Sequence, residues 1–218
     1  MGDGFLAIWS DIDPAAETDY LHWMTREHAI ERVGIPGFLA VRMFRALDVD
    51  ARRYFILYEL EHAGVVGGAD YLARLNQPTP WSQRIMPQLR NFARGGGHVG
   101  ARTGTGQGGF LAALRLGSGG GADAAGVAAV ARKHDRIASV QVLKTDHAQT
   151  SIQTREKGMR AGDGSFDGLL VIEGLDVQSV RAAVDLAATK LPIVGANPTV
   201  IYTTVFSLDR RSLEGRIS

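Results

Sequence analysis

A pattern of strands and helices that occurs twice along the chain constrains its fold more than any other feature. Apolar periodicity predicts the order strand, helix, strand, strand, helix, strand in each half, and the second occurrence begins about 105 residues after the first. We therefore divide the chain into a first repeat at 1–103, a Gly-rich linker at 104–109 and a second repeat at 110–218. A unit with this order is expected to form a four-stranded antiparallel sheet with both helices on one face.

The second face of each predicted sheet also needs a partner. Strand candidates such as FLAVRMF and LLVIEGL are apolar at nearly every position, so neither of their faces is expected to contact water. Two such sheets in one chain can bury these faces by packing against each other. We predict an α+β fold in which tandem ferredoxin-like β-α-β-β-α-β repeats, related by a pseudo-twofold axis, form one α+β barrel.

Cap and turn residues set the predicted boundaries of these elements. Asp13 is placed to cap a helix that begins at Pro14, ends near Val33 and is stopped by Gly34. The polar run 147–165 has no clear periodicity, and its structure is left open. In the first repeat we predict strands at 4–10, 38–46, 52–60 and 98–102, helices at 14–33 and 69–75, and a short helical segment at 81–89. In the second we predict strands at 110–116, 137–144, 167–173 and 199–208, a helix at 123–133 capped by Asp123, and a helix at 177–188.

The composition limits the classes of partner. With 24 basic and 23 acidic side chains the net charge is +1, so no global field attracts nucleic acid or an anionic membrane surface. The chain has no cysteine, which excludes disulfides, thiolate metal sites and cysteine nucleophiles. No apolar run approaches the roughly 18 residues of a membrane span, and the start lacks the basic segment of a signal peptide. We expect a cytoplasmic protein that binds a small-molecule ligand and neither nucleic acid nor membrane.

The helix at 14–33 carries the most suggestive polar residues. At about 100° per residue, Glu27 falls near the centre of an apolar arc and His28 at its edge, whereas His22 points to the opposite side. An imidazole titrates near neutral pH, so His28 could act as a general acid or base that Glu27 or Glu31 orients. It could equally be a structural histidine favoured by the helix dipole. The apolar arc consists of Ala16, Tyr20, Trp23, Met24 and Ile30.

Three further side chains are candidates for binding a substrate. Strand alternation places Arg42 on one face with Phe38, Ala40 and Phe44, and places Tyr54 and Tyr58 together on one face of the next strand. A guanidinium and tyrosine hydroxyls could hold a carboxylate or phenol oxygen if these faces line the barrel. Alternation does not determine which face is inside.

The histidine spacing argues against a metal centre. The six histidines show neither H-x-H nor H-E-x-x-H, so we predict no metal site and no organic cofactor. Haem needs only one imidazole ligand, which leaves His134 and His147 as candidates for a haem-binding alternative. Arg132-x-His134 follows Arg26-x-His28 by 106 positions, and this repetition predicts two equivalent helix ends that face the barrel.

The stretch YLHWMTREHAIERVGIPGFLAVRMFRA, followed by RRYFILYEL and YLARLNQPTPWSQRIMP, resembles the dimeric α+β barrel superfamily. The likeness is to its EthD-like and uncharacterised ferredoxin-like branches, covers residues 5–92, and is one of topology alone beyond residue 109. It implies a barrel that holds a small, often aromatic molecule, and members include cofactor-independent monooxygenases, isomerases, decarboxylases and dehydratases. Double-repeat relatives include haem proteins of the chlorite dismutase type. The family's helix-end histidine corresponds to His28.

Three functional hypotheses follow. The leading one is an enzyme of the isomerase, lyase or monooxygenase type that performs cofactor-independent acid–base chemistry on an aromatic or lactone-like substrate. His28 would transfer the proton, and Arg42 and Tyr58 would anchor the substrate. The alternatives are a noncatalytic ligand-binding or assembly protein of the same fold and a haem-binding double-repeat barrel. We also expect a homodimer, because apolar helices and sheet edges in such a fold often associate.

Overall fold

The computed structural model describes residues 2–47, 52–117, 121–160, 162–194 and 200–214. The strands are β1 (Gly4–Ile12), β2 (Phe38–Ala46), β3 (Arg52–Leu60), β4 (Arg90–Thr103), β5 (Phe110–Leu116), β6 (Ile137–Thr145), β7 (Gly168–Gly174), β8 (Ile193–Val194) and β9 (Ile201–Asp209). The α-helices are α1 (Glu17–Trp23), α2 (Ala29–Val33), α3 (Ala69–Asn76), α4 (Pro80–Ile85), α5 (Gly121–Ala131), α6 (His147–Thr150), α7 (Arg155–Gly158), α8 (Val177–Ala188) and α9 (Arg210–Glu214). A π turn, Met24–His28, joins α1 to α2, and short 3-10 segments lie at Pro14–Ala16, Ala63–Gly67 and Met86–Gln88. No helix in the described ranges is long and apolar enough to cross a membrane.

Eight of the described strands close into an antiparallel barrel. Their order is β7-β6-β4-β1-β3-β2-β9-β5, and β5 pairs back to β7. The first four strands of the chain lie side by side in the order β4-β1-β3-β2, and the remaining four in the order β6-β7-β5-β9. The β2–β9 and β4–β6 pairs join the two groups. The predicted α+β barrel is therefore confirmed as a closed eight-stranded barrel with helices outside it, whereas the repeat boundaries stay a prediction.

Three apolar clusters hold the helices against the barrel and fill its interior. One fills the barrel and is rich in aromatic side chains, among them Phe5, Phe44, Phe55 and Phe166. A second lies between β1–β4 and the helices of the first half, and a third lies between the second group of strands and helices α5 and α8. Most of these strands contribute one face to the barrel interior and one to a helix layer, which explains their nearly continuous apolar runs. Strand β9 differs, since most of its residues after Tyr202 are exposed or half-buried.

Most predicted elements are present, and the differences have local causes. The bounds of β2, β3, β5 and α8 agree with the prediction, and α5 begins at Gly121, so Asp123 lies in its first turn and does not cap it. A register shift between Phe38 and Ala40 moves Phe38 to the helix side, where its ring lies 5.5 Å from that of Tyr58. The predicted shared face of Phe38 and Arg42 was therefore wrong.

Strand β4 is much longer than the predicted segment 98–102. The prediction missed its first part because three consecutive glycines, Gly95–Gly97, are not typical of a strand. A Cβ atom at Gly97 would lie 2.0 Å from the Lys144 carbonyl oxygen, and one at Gly95 would lie 2.5 Å from the Phe166 ring. Glycine is poorly represented in strands in general, but here it allows close approach of the neighbouring strand and of a core ring.

Gly97→Ala is expected to lower the free energy of unfolding by about 1–3 kcal/mol, because the new methyl group overlaps a backbone carbonyl that the β4–β6 ladder holds in place. Gly126→Ala is the matched control, since a Cβ there meets nothing within 4 Å and the residue lies inside α5. That change should raise the stability by up to about 1 kcal/mol. Urea unfolding of both variants measures the difference, and equal effects would contradict this description of β4.

Candidate active site

A π turn sets the orientation of the most important helical residues. The first helical segment begins as predicted, with the Asp13 carboxylate accepting a hydrogen bond from the Ala15 amide at 2.8 Å. Within the π turn the Ala29 amide donates to the Met24 carbonyl, five residues earlier. Such a turn contains about one residue more than an α-helical turn, and π turns are frequent at functional sites.

The extra residue changes which side chains face the sheet. Of two residues predicted on the apolar arc, Ile30 is 43% exposed and Glu27 is half-buried, with its carboxylate bonded to Thr79. His28 and Arg32 are buried in their place, at 6% and 2% exposure. The phase shift thus brings an imidazole and a guanidinium to the sheet side of the helix, where an uninterrupted α-helix would have placed a carboxylate and an isoleucine.

His28 lies at a cavity of about 40 Å³ between this helix, the outer face of the first sheet and the segment 154–160. The apolar part of the lining includes Ile8, Trp23, Ile56, Leu75, Met86, Leu89 and Phe92. The polar part includes Ser10, Tyr20, His28, Arg32, Tyr58, Tyr71, Arg94, Thr154, Glu156 and Arg160. Arg32, Arg94 and Arg160 are therefore arranged around one small space with an otherwise apolar wall.

Several polar atoms of this lining are buried without a protein partner. Within the described residues no hydrogen bond is made by His28 Nδ1, Arg32 Nη1, Tyr58 Oη or Arg94 Nε. A buried polar atom that lacks a partner costs about 1–3 kcal/mol, and such atoms are rare in folded proteins. Four such atoms on side chains that line one cavity indicate a site built to hold a polar group of another molecule.

The charges around the cavity favour an anion. Arg32 Nη2 donates to Glu156 Oε1 at 2.5 Å, and Arg160 is paired with Asp163 at 2.8 Å. Arg94 donates to Tyr71 Oη at 3.4 Å, and in the described parts of the chain no carboxylate oxygen lies within 4 Å of its guanidinium. Arg94 thus brings to the cavity a positive charge that is not part of an ion pair within the described residues.

The same surroundings keep His28 neutral. Burial lowers the pKa of its imidazole well below the ordinary value of 6.5, and the charges of Arg32 and Arg160 lower it further. The Trp23 ring lies against the imidazole, with ring centroids 4.1 Å apart. Burial also raises the pKa of the Tyr58 hydroxyl, so this group keeps its proton and can donate a hydrogen bond. A neutral base therefore lies beside proton donors and fixed positive charge.

Acidification is expected to destabilise the protein through His28. The pKa of the folded imidazole is lower than that of the unfolded one, so the unfolded chain binds a proton at a higher pH. The free energy of unfolding should fall as the pH decreases below about 6.5, by at most about 1.4 kcal/mol per pH unit. Urea unfolding at about pH 7 and about pH 5 measures this slope. The His28→Gln variant should show a shallower slope, and an unchanged slope would contradict a buried neutral histidine.

The remaining predicted site residues lie elsewhere. Glu27 accepts from Thr79 Oγ1 at 2.6 Å, and Glu31 pairs with Arg74 at 3.3 Å, so the structure does not bring either carboxylate to His28 Nδ1. Tyr54 donates to Glu17 at 2.5 Å on the helix side of β3. Of the six predicted residues, the structure brings together His28 and Tyr58.

Arg42 lies inside the barrel, on the opposite face of the sheet. Its guanidinium donates to both carboxylate oxygens of Glu173, at 2.6 and 2.7 Å. The predicted face of Tyr54 and Tyr58 is correct, but it packs against helices, so these two tyrosines do not line the barrel with Arg42 as expected.

Sequence reasoning missed four charged residues of the cavity as site members: Arg32, Arg94, Glu156 and Arg160. Arg94 is hidden beside the glycines of β4. Glu156 and Arg160 belong to the polar run 147–165, which crosses from the second half of the chain to cover the first. The Arg160 guanidinium lies over the Phe92 ring at 3.9 Å, and Gly164 exchanges backbone hydrogen bonds with Phe92 and Arg94 of β4. The sequence offered one indication that this segment has a functional role, namely several charged residues in a long stretch without periodicity.

The predicted equivalence of His28 and His134 was wrong. His28 lies within the continuous helical segment and faces the sheet, whereas His134 follows the end of α5 in a half-exposed turn. His147 is exposed, and its Nε2 atom lies 2.9 Å from Asp167 Oδ1. Neither residue fits a haem ligand, which needs a free ring nitrogen over a deep apolar slot, and the cavity beside His28 is too small for a haem macrocycle. Within the described ranges no three His, Asp or Glu side chains converge as metal ligands would.

Comparison with known proteins supports the fold. Neither protein-family models nor curated protein sequences gave a match. An anthrone oxidase-like protein matches with a TM-score of 0.59 and 12% identity, over 95% of this chain and 92% of that one. A proposed monooxygenase from Fusobacterium nucleatum subsp. nucleatum matches with a TM-score of 0.56 and 11% identity, over 95% of each chain. A proposed chlorite dismutase matches over 100% of both chains, with a TM-score of 0.54 and 12% identity. At these identities the likeness shows a shared fold and no shared chemistry.

Proposed function

We propose that the cavity beside His28 is the active site of a small-molecule enzyme that removes a proton from an aromatic or lactone-like substrate. The observation that carries this proposal is the set of four unpartnered polar atoms around one buried space. A proton transfer of this kind requires a base and groups that stabilise the resulting anion. Side chains of the chain supply both, so the proposed reaction needs no metal or organic cofactor.

In this mechanism neutral His28 accepts a proton from a carbon next to a carbonyl group, or from a phenol. The negative charge that develops on the substrate oxygen would be stabilised by the unpartnered N–H groups of Arg32 and Arg94 and by the Tyr58 hydroxyl. These donors are fixed before the reaction and lie among apolar side chains, where such interactions are strongest. The imidazolium that forms would be held beside the new anion until the proton is returned or lost.

The fate of the carbanion distinguishes the reaction classes. Return of the proton to another carbon would make the protein an isomerase, loss of a leaving group a lyase, and reaction with dioxygen a monooxygenase. The anthrone oxidase-like protein and the proposed monooxygenase with the same fold favour the last class. We therefore choose a planar aromatic ketone with an acidic C–H group as the first substrate to test.

Substrate access requires the segment 151–160 to move. The described cavity of about 40 Å³ holds only one or a few water-sized molecules. The segment is held by the Arg32–Glu156 pair, by Arg160 over Phe92 and by a hydrogen bond from the Arg155 amide to Asn76. An aromatic ring would have to displace some of these contacts, as closing segments do in many enzymes.

The alternatives differ in what they require of this cavity. A noncatalytic assembly protein would have no need of a buried base surrounded by unpartnered donors. A noncatalytic ligand-binding protein would use the donors but not the base, and it would not accelerate proton exchange. We place the enzyme first because the base and the donors line the same cavity. The EthD-like relationship and the tandem ferredoxin-like repeats belong to the same proposal, supported by the strand order in each half. The homodimer and the cytoplasmic location stay predictions.

Exchange of substrate hydrogen with deuterated water, followed by proton NMR, tests the proposed function. Anthrone and an aromatic lactone with an acidic C–H group are suitable probes, because proton removal is detected whatever happens to the carbanion afterwards. We expect the wild-type protein to accelerate exchange of at least one probe, and Tyr58→Phe to reduce this acceleration. Exchange at the uncatalysed rate for all probes, without saturable binding of any, would contradict the proposal.

A further inference from the structure

The barrel has a second pocket on the opposite face of the sheet from His28. It has a volume of about 260 Å³ and opens at one end of the barrel, where the segment 104–107 forms part of its wall. This volume corresponds to about nine water molecules, which suffices for a small organic molecule. Leu57 and Tyr58 both line this pocket, but the Tyr58 side chain belongs to the apolar cluster on the helix side, so Tyr58 borders both sites.

The floor of this pocket is an ion pair that needs no further partner. Arg42 donates to both oxygens of Glu173, which is 1% exposed and also accepts from the Gly108 amide at 3.1 Å. A bidentate pair with an additional backbone donor is well compensated inside a protein. The floor is therefore polar and rigid, and its charges cancel.

Arg102 at the mouth differs from this pair. Its Nε atom is buried and makes no hydrogen bond within the described residues, and Nη2 donates only a long bond of 3.3 Å to Gln141 Oε1. In the same ranges no carboxylate oxygen lies within 4 Å of the guanidinium. Arg102 thus presents to the pocket a guanidinium that is in no ion pair within the described residues and an Nε–H group without a partner.

The remaining lining selects for the rest of the ligand. The wall is mainly apolar and includes Phe5, Leu57, Val99 and Leu143. Glu59 also lines the pocket, and although its carboxylate accepts from the Gly2 amide at 2.8 Å, it would repel a highly charged anion. A single negative charge attached to an apolar body fits these surfaces better than phosphate or a dicarboxylate does.

We propose that this pocket binds a small amphipathic monocarboxylate, whose carboxylate pairs with Arg102 and whose apolar body lies against Phe5, Leu57 and Leu143. The site is separate from the cavity at His28 and does not depend on the proposed reaction there. It makes the barrel interior a binding site in addition to a packed core.

Calorimetric titration with phenylacetate, and with the uncharged phenylacetamide, tests this proposal. We expect the wild-type protein to bind phenylacetate and to bind the amide at least about 10-fold more weakly, since a charge-assisted bond is lost. Arg102→Gln should weaken phenylacetate binding by about 10- to 100-fold and leave amide binding unchanged. Arg211→Gln is the control for removal of an exposed arginine, and His28→Gln is the control for the other cavity; neither should alter the affinity.

The outcomes separate the possibilities without relying on one variant. The comparison of acid and amide uses the wild-type protein, so it stands even if Arg102→Gln folds poorly, which thermal melting would reveal. Equal affinity for acid and amide, or no saturable binding of the acid, would overturn the proposal. So would phenylacetate binding that His28→Gln abolishes and Arg102→Gln leaves unchanged, because the ligand would then occupy the first cavity.

Discussion

Replacing His28 with glutamine should lower the turnover number for proton exchange by about 10²- to 10⁴-fold, the usual contribution of a positioned base. Glutamine has a similar volume and can form hydrogen bonds, but it cannot accept the substrate proton. Because the imidazole is buried against Trp23 and near Arg32, the loss should appear in the turnover number more than in substrate binding. Single-turnover exchange rates, measured with saturating substrate, give the comparison directly.

His22→Gln is the matched control for this experiment. His22 lies six residues earlier in the same helical segment, is half-buried outside the cavity lining, and should be replaceable with less than a twofold effect on the rate. Urea unfolding of both variants separates a loss of folding from a loss of chemistry. If His28→Gln were folded and as active as the wild type, His28 would not be the base.

The second large effect concerns the ion pair between Arg32 and Glu156, which holds the segment 151–160 over the cavity. Glu156→Ala should lower the free energy of unfolding by about 3–5 kcal/mol, because it leaves the Arg32 guanidinium buried without its carboxylate. The next carboxylate, that of Glu31, is 3.9 Å from Arg32 Nη1, too far for a hydrogen bond. Urea unfolding measures the loss, and the double variant Arg32→Met with Glu156→Leu should recover most of it, since neither charge then remains buried.

Glu214→Ala provides the matched control for the loss of a glutamate. Glu214 pairs with Arg210 at 3.3 Å on the exposed face of α9, where such a pair contributes at most about 0.5 kcal/mol. A comparably small effect of Glu156→Ala would mean that Arg32 reaches water or another partner once Glu156 is removed. In that case the pair would not hold the segment in place, and breaking the pair would not open the proposed access route for the substrate.

The fold could be predicted from the sequence to the extent that its signals are local. Alternating apolar residues and turn residues define β2 and β3, and the cap Asp13 marks where the first helical segment begins. The closed barrel follows because both faces of these strands are apolar. Strand β4 was largely missed, because the close approach that requires its glycines is a tertiary contact with Phe166 and with β6.

The site was less predictable because it depends on one irregular turn and one distant segment. Helical periodicity correctly selected the helix and His28, but it placed Glu27 inward, since a π turn leaves no mark in the spacing of apolar residues. Glu156 meets Arg32 from 124 positions away, and no local pattern connects them. Arg42 shares a strand face with Ala40 and Phe44 but not with Phe38, and Tyr58 shares one with Tyr54. These two faces belong to opposite sides of the sheet.

The absorption spectrum of bound 4-nitrophenol tests the central claim most directly, because its phenolate and phenol forms absorb at different wavelengths. The titration is best done with the Arg102→Gln protein, so that the barrel pocket does not contribute. If Arg32, Arg94 and Tyr58 form an anion-stabilising site beside a neutral base, the bound phenol should ionise at a lower pH than in free solution, and Arg94→Gln should diminish this shift. Binding of the phenol with an unchanged pKa, or binding that Arg94→Gln does not affect, would contradict the assignment of this cavity as the active site.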